Sequence, residues 1–434
     1  MVSLENKLKQ RSAAVAIVGL GYVGLPLAVA FAEAGFKVLG FDIQEKRVDK
    51  VNQGTSYIAD VSPKRLSGVL SAGFLRATTD QSRLSEVDIV CICVPTPLTK
   101  TKDPDLSYVI SEAKEVARHI HRGQLIILES TTYPGTTREV VLPILETSGL
   151  KCGEDFFLAF SPERVDPGNS KYNIKNTPKI VGGIDPASTE LAAILYGPIA
   201  DSVIKVSCPE AAEMTKVFEN VFRSVNIALV NELAQLCEKM GISVWEVIQS
   251  AATKPFGYTP FYPGPGIGGH CIPLDPYYLA NKAREYDFHT RFIELAAEIN
   301  EGMPYHTVGR IIGLLNQGGT SVKGARVLIL GVAYKKDTED TRESPSLKLI
   351  ELLGQKGALV DYHDPFVGEL KVKDRNYASI KLLAKNLKLY DCVVIAIDHS
   401  SFDLEFIVKN SRAVLDTRGC TRGIESDKIQ RLGE

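Results

Sequence analysis

Cysteine is scarce and unpaired in this chain. Eight fall in 434 residues, and none forms a CxxC pair. That excludes a zinc ribbon and a disulfide framework, and it fits a reducing cytoplasm. A surplus of either charge is also lacking, since 50 Lys and Arg stand against 52 Asp and Glu, for a formal net charge of −2. With no long basic run there is no electrostatic footprint for nucleic acid. Long apolar runs are absent too, with one apparent exception. Residues 13–32, AAVAIVGLGYVGLPLAVAFA, carry no charge and follow the basic KLKQR. The glycines and the proline inside that run argue for a buried strand entering a buried helix, so no membrane segment is expected. What remains is the composition of a soluble globular enzyme, long enough for two or three domains.

The apolar run has internal order. Ala14–Val18 reads as a strand, and Gly19-Leu-Gly21-Tyr-Val-Gly24 follows at once. Pro26 sits in the first turn of the helix that comes next, where proline is tolerated, and Gly35 ends it. KVLGF then gives a second strand closed by Asp42, 23 positions beyond Gly19. A bare GxGxxG is weak, but strand, glycines, helix, strand and acid in this order form a dinucleotide fingerprint. Gly19 makes the tight turn, Gly21 lets backbone approach a pyrophosphate, and Gly24 allows close helix–strand packing. Asp42 would bind a ribose hydroxyl and repel a 2′-phosphate, so NAD is expected rather than NADP. Arg47 is a candidate contact beside it, though a solvated helix residue is the plainer reading.

The α/β rhythm continues through DIVCICV, which ends in Pro95-Thr96-Pro97, and through Gln124–Leu128, which ends in ESTTYPG. FFLAF ends in Ser161-Pro162-Glu163-Arg164, and KIVGG and SVIKV follow. Carboxyl ends of parallel strands are where such sheets bind ligands. Each Ser, Thr or Pro taken singly is ordinary turn chemistry. From Pro209 a long helical run begins, ended by Gly241 and carrying Lys216 and Asn220 on one face. It is long and apolar enough to serve as a dimer surface. Residues 277–300 read as helical again, and a fresh α/β unit starts after Gly318-Gly319. There KGARVLILGVAY is a strand, SPSLKLIELLGQKG a helix, and LVDYHDP, CVVIAID and AVLDTRG further strands. The fold class is therefore α/β, with two doubly wound Rossmann-like domains joined by a central helical segment with a long helix. The second of these lacks GxGxxG and carries the loop KKDTEDTRES after Gly331. That loop is either a solvated charge run or, through Lys335 and Arg342, a ligand for a second anionic molecule.

Between the two α/β patterns lies PGPGIGGHCIPLDP at 263–276, too rich in proline and glycine for a helix or a central strand. Its lone Cys271 is a space-filler, a metal ligand or a nucleophile. Only His270 and His289 stand nearby as further metal ligands, so the metal reading is the weakest, and no metal is expected.

Seven ordered segments then decide among these readings: GLGYVGLP, PTP, STTYPGTT, SPER, EMTKVFEN, GGHCIPLDP and YKKDTEDTRESPS. Along nearly its whole length the chain resembles the UDP-glucose/GDP-mannose dehydrogenase family. Its GGHCIPLDP loop, in place of GGSC-x-x-KD, is similar to the branch that oxidises N-acetylhexosamines for surface polysaccharides. The resemblance implies an NAD-binding domain over 1–208, a central helical domain with the cysteine loop over 209–315, and a UDP-sugar-binding domain over 316–434. It also implies four-electron oxidation of a C6 alcohol to a uronate, with a thiohemiacetal and then a thioester on Cys271. UDP-N-acetylglucosamine is the expected substrate; UDP-N-acetylmannosamine, UDP-N-acetylgalactosamine and UDP-glucose are the alternatives. By motif match, Lys216 and Asn220 stabilise the oxyanion, Asp275 orients the thiol or a water, Glu163 is the general base of hydrolysis, and Thr132 places water. Cofactor contacts carried over are Gly19, Gly21, Tyr22, Val23, Gly24, Asp42, Arg47, Pro95, Thr96, Ser130, Thr132 and Arg342. Substrate contacts are Glu163, Arg164, Lys216, Asn220, Tyr262, Gly268 and Lys335. A homodimer or higher homo-oligomer through the central helix is expected, in the cytoplasm. Three positions depart from the glucose enzymes: His270 for serine, Leu274 for lysine, and Glu339 for a glycine. The first two argue against UDP-glucose.

Overall fold

The computed structural model describes residues 3–434 except 59, 100–102, 167, 168, 170, 270, 271, 273 and 274. It divides into two compact units, Met1–Glu219 with Tyr277–Phe288, and Asn220–Pro276 with His289–Glu434.

The first unit is built on eight strands. They are β1 (Ala14–Val18), β2 (Lys37–Phe41), β3 (Leu75–Thr78), β4 (Ile89–Ile92), β5 (Leu125–Leu128), β6 (Phe157–Phe160), β7 (Lys179–Gly183) and β8 (Val203–Lys205). Their order is β3-β2-β1-β4-β5-β6-β7-β8. Every pairing is parallel except β6 with β7. The chain reverses its direction across the sheet between β1 and β4, which opens a crevice at their carboxyl ends. Buried cores cover both faces, so β4 and β5 are apolar at every position. The uncharged run 13–32 resolves into β1, a glycine turn and the buried helix Gly24–Glu33. No described helix is long and apolar enough to cross a membrane. β3 has no counterpart in the sequence reading. It is an edge strand whose LRAT alternates buried and exposed, with too few residues to show a period.

The second unit carries a parallel sheet of β9 (Arg326–Leu330), β10 (Leu359–His363), β13 (Cys392–Ile395), β14 (Val414–Asp416) and β15 (Ile429–Arg431), ordered β10-β9-β13-β14-β15. A separate antiparallel hairpin, β11 (Glu369–Val372) and β12 (Arg375–Ala378), follows β10. Neither the hairpin nor β15 is expected from the sequence. The 32-residue helix Pro209–Met240 forms as read and stops at Gly241, whose φ is +67°. The helix expected to end near residue 300 instead runs Arg291–Gln317, straight through Pro304. An interior proline costs about 3 kcal/mol. Val308, Ile311, Leu314 and Leu315 lie beyond it and enter the core against β9 and the helix Pro345–Gln355. Each such burial stabilises by roughly 1.5–3 kcal/mol, which outweighs the proline.

Candidate functional site

The glycine turn after β1 has the geometry of a phosphate cradle. Gly19 has φ +93° and donates its N–H to Phe41 O at 2.8 Å. A Cβ on Gly24 would stand 1.8 Å from Gly19 O, so the helix can start this close to the strand only with glycine there. A Cβ on Gly21 would meet nothing within 4 Å, which leaves backbone open to a ligand. Tyr22 is exposed and Val23 half-buried beside the helix start. At the end of β2 the Asp42 carboxylate is fixed by the N–H groups of Leu20 (3.1 Å) and Gln44 (2.9 Å). Arg47, on the helix Glu45–Asn52, pairs with it at 3.3 Å and keeps 40% of its side chain exposed.

The next two strand ends are tied to each other. Thr96 Oγ1 donates to Thr131 O at 2.7 Å, and Ser130 Oγ donates to Val94 O at 2.7 Å. Tyr278 OH adds a bond to Thr96 O, and Pro95 stays exposed. The hydroxyls of Thr96 and Ser130 therefore brace the loops. Thr132 differs: its side chain is buried, and Oγ1 has no hydrogen-bond partner among the described residues. A buried hydroxyl without a partner calls for a water or a ligand group. The open backbone at Gly21, the held Asp42 and this hydroxyl fit an NAD molecule and a water beside it.

Glu163 follows β6. Its Oε1 accepts the N–H groups of Arg164 and Val165, both at 2.7 Å. Because β7 runs antiparallel to β6, its first residue Lys179 returns opposite Glu163, with Nζ 3.7 Å from Oε2. Lys179 also donates to Glu129 at 2.7 Å, and Tyr196 OH caps the other oxygen of that carboxylate. Burial works against the Lys179 charge, but Glu129 and Glu163 outweigh it and hold the ammonium above its usual value. Arg164 is spent on Glu219 and Pro178 O.

On the long helix, Lys216 is half-buried and has no hydrogen-bond or ion-pair partner among the described residues. One turn earlier, Glu213 is fully buried and accepts from Gly135 N (2.6 Å), Thr137 N (2.8 Å) and Thr137 Oγ1 (2.6 Å). Burial pushes its carboxyl up to about 7, against the pull of those three donors. Glu213 thus fastens the helix bearing Lys216 to the loop bearing Thr132. Glu213→Gln replaces one acceptor oxygen by a donor and strands an N–H, a loss of about 1–3 kcal/mol. We expect a correspondingly lower unfolding midpoint in urea, and an unchanged midpoint would remove the fastening role.

In the second unit Asn220 Nδ2 donates to Asp275 Oδ2, and both side chains are buried. Cys271, His270 and Leu274 lie outside the described residues. The loop before them is held closely. Gly264 N donates to Asn231 Oδ1 at 3.0 Å, and Asn231 is in turn bonded to Asn300. A Cβ on Gly268 would stand 2.7 Å from Tyr334 Cβ, and Gly269 N donates to Arg342 O at 3.1 Å. Gly268 and Gly269 therefore lie directly against the KKDTEDTRES loop. Tyr262 is half-exposed and stacks on buried Trp245. Lys335 is half-buried, and the Arg342 guanidinium forks onto Asp340. The motif reading missed Arg418, whose Nε donates to Ala396 O at 2.7 Å beyond β14 and whose Nη1 reaches the cysteine loop at Gly264. Its signal was present: an arginine two residues past a strand end, on the same sheet edge as Lys335.

The NAD binding domain of the UDP-glucose/GDP-mannose dehydrogenase family matches residues 13–200, its central domain 210–302 and its UDP binding domain 328–423. A UDP-N-acetyl-D-mannosamine dehydrogenase of Pyrococcus horikoshii is 39% identical over 89% of this chain and 90% of its own. A UDP-N-acetyl-D-glucosamine 6-dehydrogenase of Pseudomonas aeruginosa is 36% identical over 89% and 91%. The solved structure of a UDP-D-ManNAc dehydrogenase from Pyrococcus horikoshii superposes with a TM-score of 0.87 at 36% identity, covering 97% of this chain and 99% of that one.

Proposed function

The chain belongs to the UDP-glucose/GDP-mannose dehydrogenase family of NAD-dependent oxidoreductases, and from that premise we propose that it oxidises the C6 alcohol of UDP-N-acetylglucosamine to the uronate. The overall change consumes one water and two NAD, and it releases two NADH and three protons with the carboxylate. NAD, when bound, takes the hydrides. The Cys271 thiolate adds to the C6 aldehyde, which otherwise would escape between the two oxidations. Loss of the second hydride leaves a thioester. Glu163 then takes a proton from the attacking water, which Thr132 Oγ1 helps to place, and the Cys271 thiolate departs. Lys216 and Asn220 stabilise the oxyanions, and Asp275 fixes the Asn220 amide. Lys335 and Arg418 supply cations for the UDP diphosphate, Arg342 contacts the cofactor, and Arg164, Tyr262 and Gly268 line the sugar.

The observation that carries this reading is the match across all three family domains to relatives that act on UDP-N-acetyl sugars. The 39% identity to a UDP-N-acetyl-D-mannosamine dehydrogenase favours that epimer as a second reading. NADH release from UDP-N-acetylglucosamine, UDP-N-acetylmannosamine, UDP-N-acetylgalactosamine and UDP-glucose tests both. Two NADH per sugar are expected from the first; one per sugar would sink the thioester route. Binding without any NADH would make the chain a nucleotide sensor instead.

The same reading includes a homodimer or higher homo-oligomer in the cytoplasm. Phe222, Leu229, Leu236 and Met240 are exposed along the long helix, the first three at intervals of seven. That spacing suits a helix seam with a second copy. Light scattering at the 47.4 kDa of one chain would refute it.

A further inference from the structure

The histidine after β13 plays no part in the reaction just described, yet its ring is wholly enclosed at the carboxyl edge of the second sheet. His399 has no exposed side-chain surface. Phe366 and Phe402 pack on it, with ring centroids at 5.2 and 5.3 Å. Both ring nitrogens are engaged. Nδ1 receives the backbone N–H of Asp337 at 3.0 Å, and Nε2 lies 3.1 Å from Asp364 Oδ2. An N–H donor facing Nδ1 requires a lone pair there, so the proton sits on Nε2 and points at the carboxylate.

Asp364 is itself a hub. Its Oδ2 accepts from Val332 N (2.7 Å) and Ala333 N (3.2 Å), at the start of the loop after β9. Its Oδ1 accepts from Phe366 N (2.9 Å) and Val367 N (3.1 Å). Burial alone would raise this carboxyl, but His399 and the backbone donors outweigh it and keep the group below its ordinary range. The result is a fixed post made from residues after β10 and β13.

The far side of the post holds Asp337. This residue has φ +56°, a left-handed conformation strained for most side chains and less so for Asp, Asn and Gly. Three bonds oppose that strain: Asp337 N to His399 Nδ1, Ser400 N to Asp337 Oδ1 (2.8 Å) and Ser400 Oγ to Asp337 Oδ2 (2.6 Å). Lys336 pairs with Asp398 at 3.4 Å in the same clamp. The bend at Asp337 lies between Lys335 and Arg342, and the loop closes on itself through Tyr334 N to Asp340 O at 2.8 Å.

We propose that His399, as a neutral imidazole, is a positioning residue that latches the Lys335–Arg342 loop into the conformation that receives the nucleotide sugar. It acts through Asp337 and touches no ligand. The proposal rests on the reading that this loop binds the UDP-sugar.

Two substitutions separate the ring's functions. His399→Asn keeps an acceptor where Nδ1 stood, while His399→Gln keeps a donor toward Asp364 and loses the acceptor. Steady-state NADH formation gives KM for UDP-N-acetylglucosamine and for NAD. UDP binding by calorimetry gives a second readout that needs no turnover. We expect His399→Gln to weaken UDP binding and raise the sugar KM about tenfold, the effect of losing one charged contact's placement. KM for NAD and kcat stay within about twofold, and His399→Asn restores most of the sugar KM. Equal KM values in both variants, or parallel changes in the two substrates, overturn the latch. If His399→Gln does not fold, Ser400→Ala removes only the Oγ bond to Asp337 and is expected to raise the sugar KM about threefold; no change there overturns the proposal too. Failure of the unmodified enzyme to bind UDP or any UDP-sugar would instead refute the reading on which it rests.

Discussion

Cys271→Ala is expected to lower NADH formation from the nucleotide sugar at least about 10³-fold, the scale of losing a covalent nucleophile. The loss has a specific form. Removing one hydride from the alcohol does not need the thiol, but that equilibrium favours the alcohol, so little NADH accumulates. With hydroxylamine present to capture the aldehyde as an oxime, the variant should release one NADH per sugar and no more. The unmodified enzyme should release two and yield the acid. Cys271→Ser places a poorer leaving group in the same loop, and its ester should accumulate and hydrolyse slowly. Full turnover to the acid by Cys271→Ala would overturn the mechanism and leave the cysteine a space-filler.

That loop was legible because proline and glycine exclude it from regular structure, which leaves the cysteine conspicuous. The NAD cradle was legible for a related reason. Gly24 answers to a steric demand set by Gly19 and Ile17, and Gly19 to its own positive φ, so their spacing carries this part of the geometry, although a Gly19 Cβ would also strike distant Cys93. Strands buried on both faces announce themselves by apolarity, as β4 and β5 do. β3, with one buried and one exposed position alternating over four residues, has no such signal. Nor could local rules carry a helix through Pro304, because the compensation comes from a core that residues 308–315 share with distant strands.

The supporting polar network was not legible at all. Lys179 finds Glu129 fifty residues away, Tyr196 finds the same carboxylate 67 away, and Asp337 meets His399 across 62. A buried charge must have a partner, but the sequence does not say which. Only the strand order does: β7 turning antiparallel to β6 is what delivers Lys179 to Glu163. Motifs therefore nominated the groups proposed to react, and packing revealed what holds them.

Glu163 shows why that holding matters for the second large effect. One of its oxygens is spent on two backbone N–H groups, which leaves Oε2, facing Lys179, as the oxygen that would take the proton in the proposed hydrolysis. Glu163→Gln keeps the shape and removes the base. Both hydride transfers precede hydrolysis, so the variant should give a burst of two NADH per active site and then stall. The steady rate should fall by about 10²–10⁴, the usual contribution of a general base. Mass spectrometry of the stalled protein should find the acyl group on Cys271. Added hydroxylamine, which attacks a thioester without a base, should restore turnover while the burst amplitude stays the same. A variant that loses the burst in proportion to the steady rate would place Glu163 before the thioester, in binding or in the first oxidation, and the base would have to be sought elsewhere.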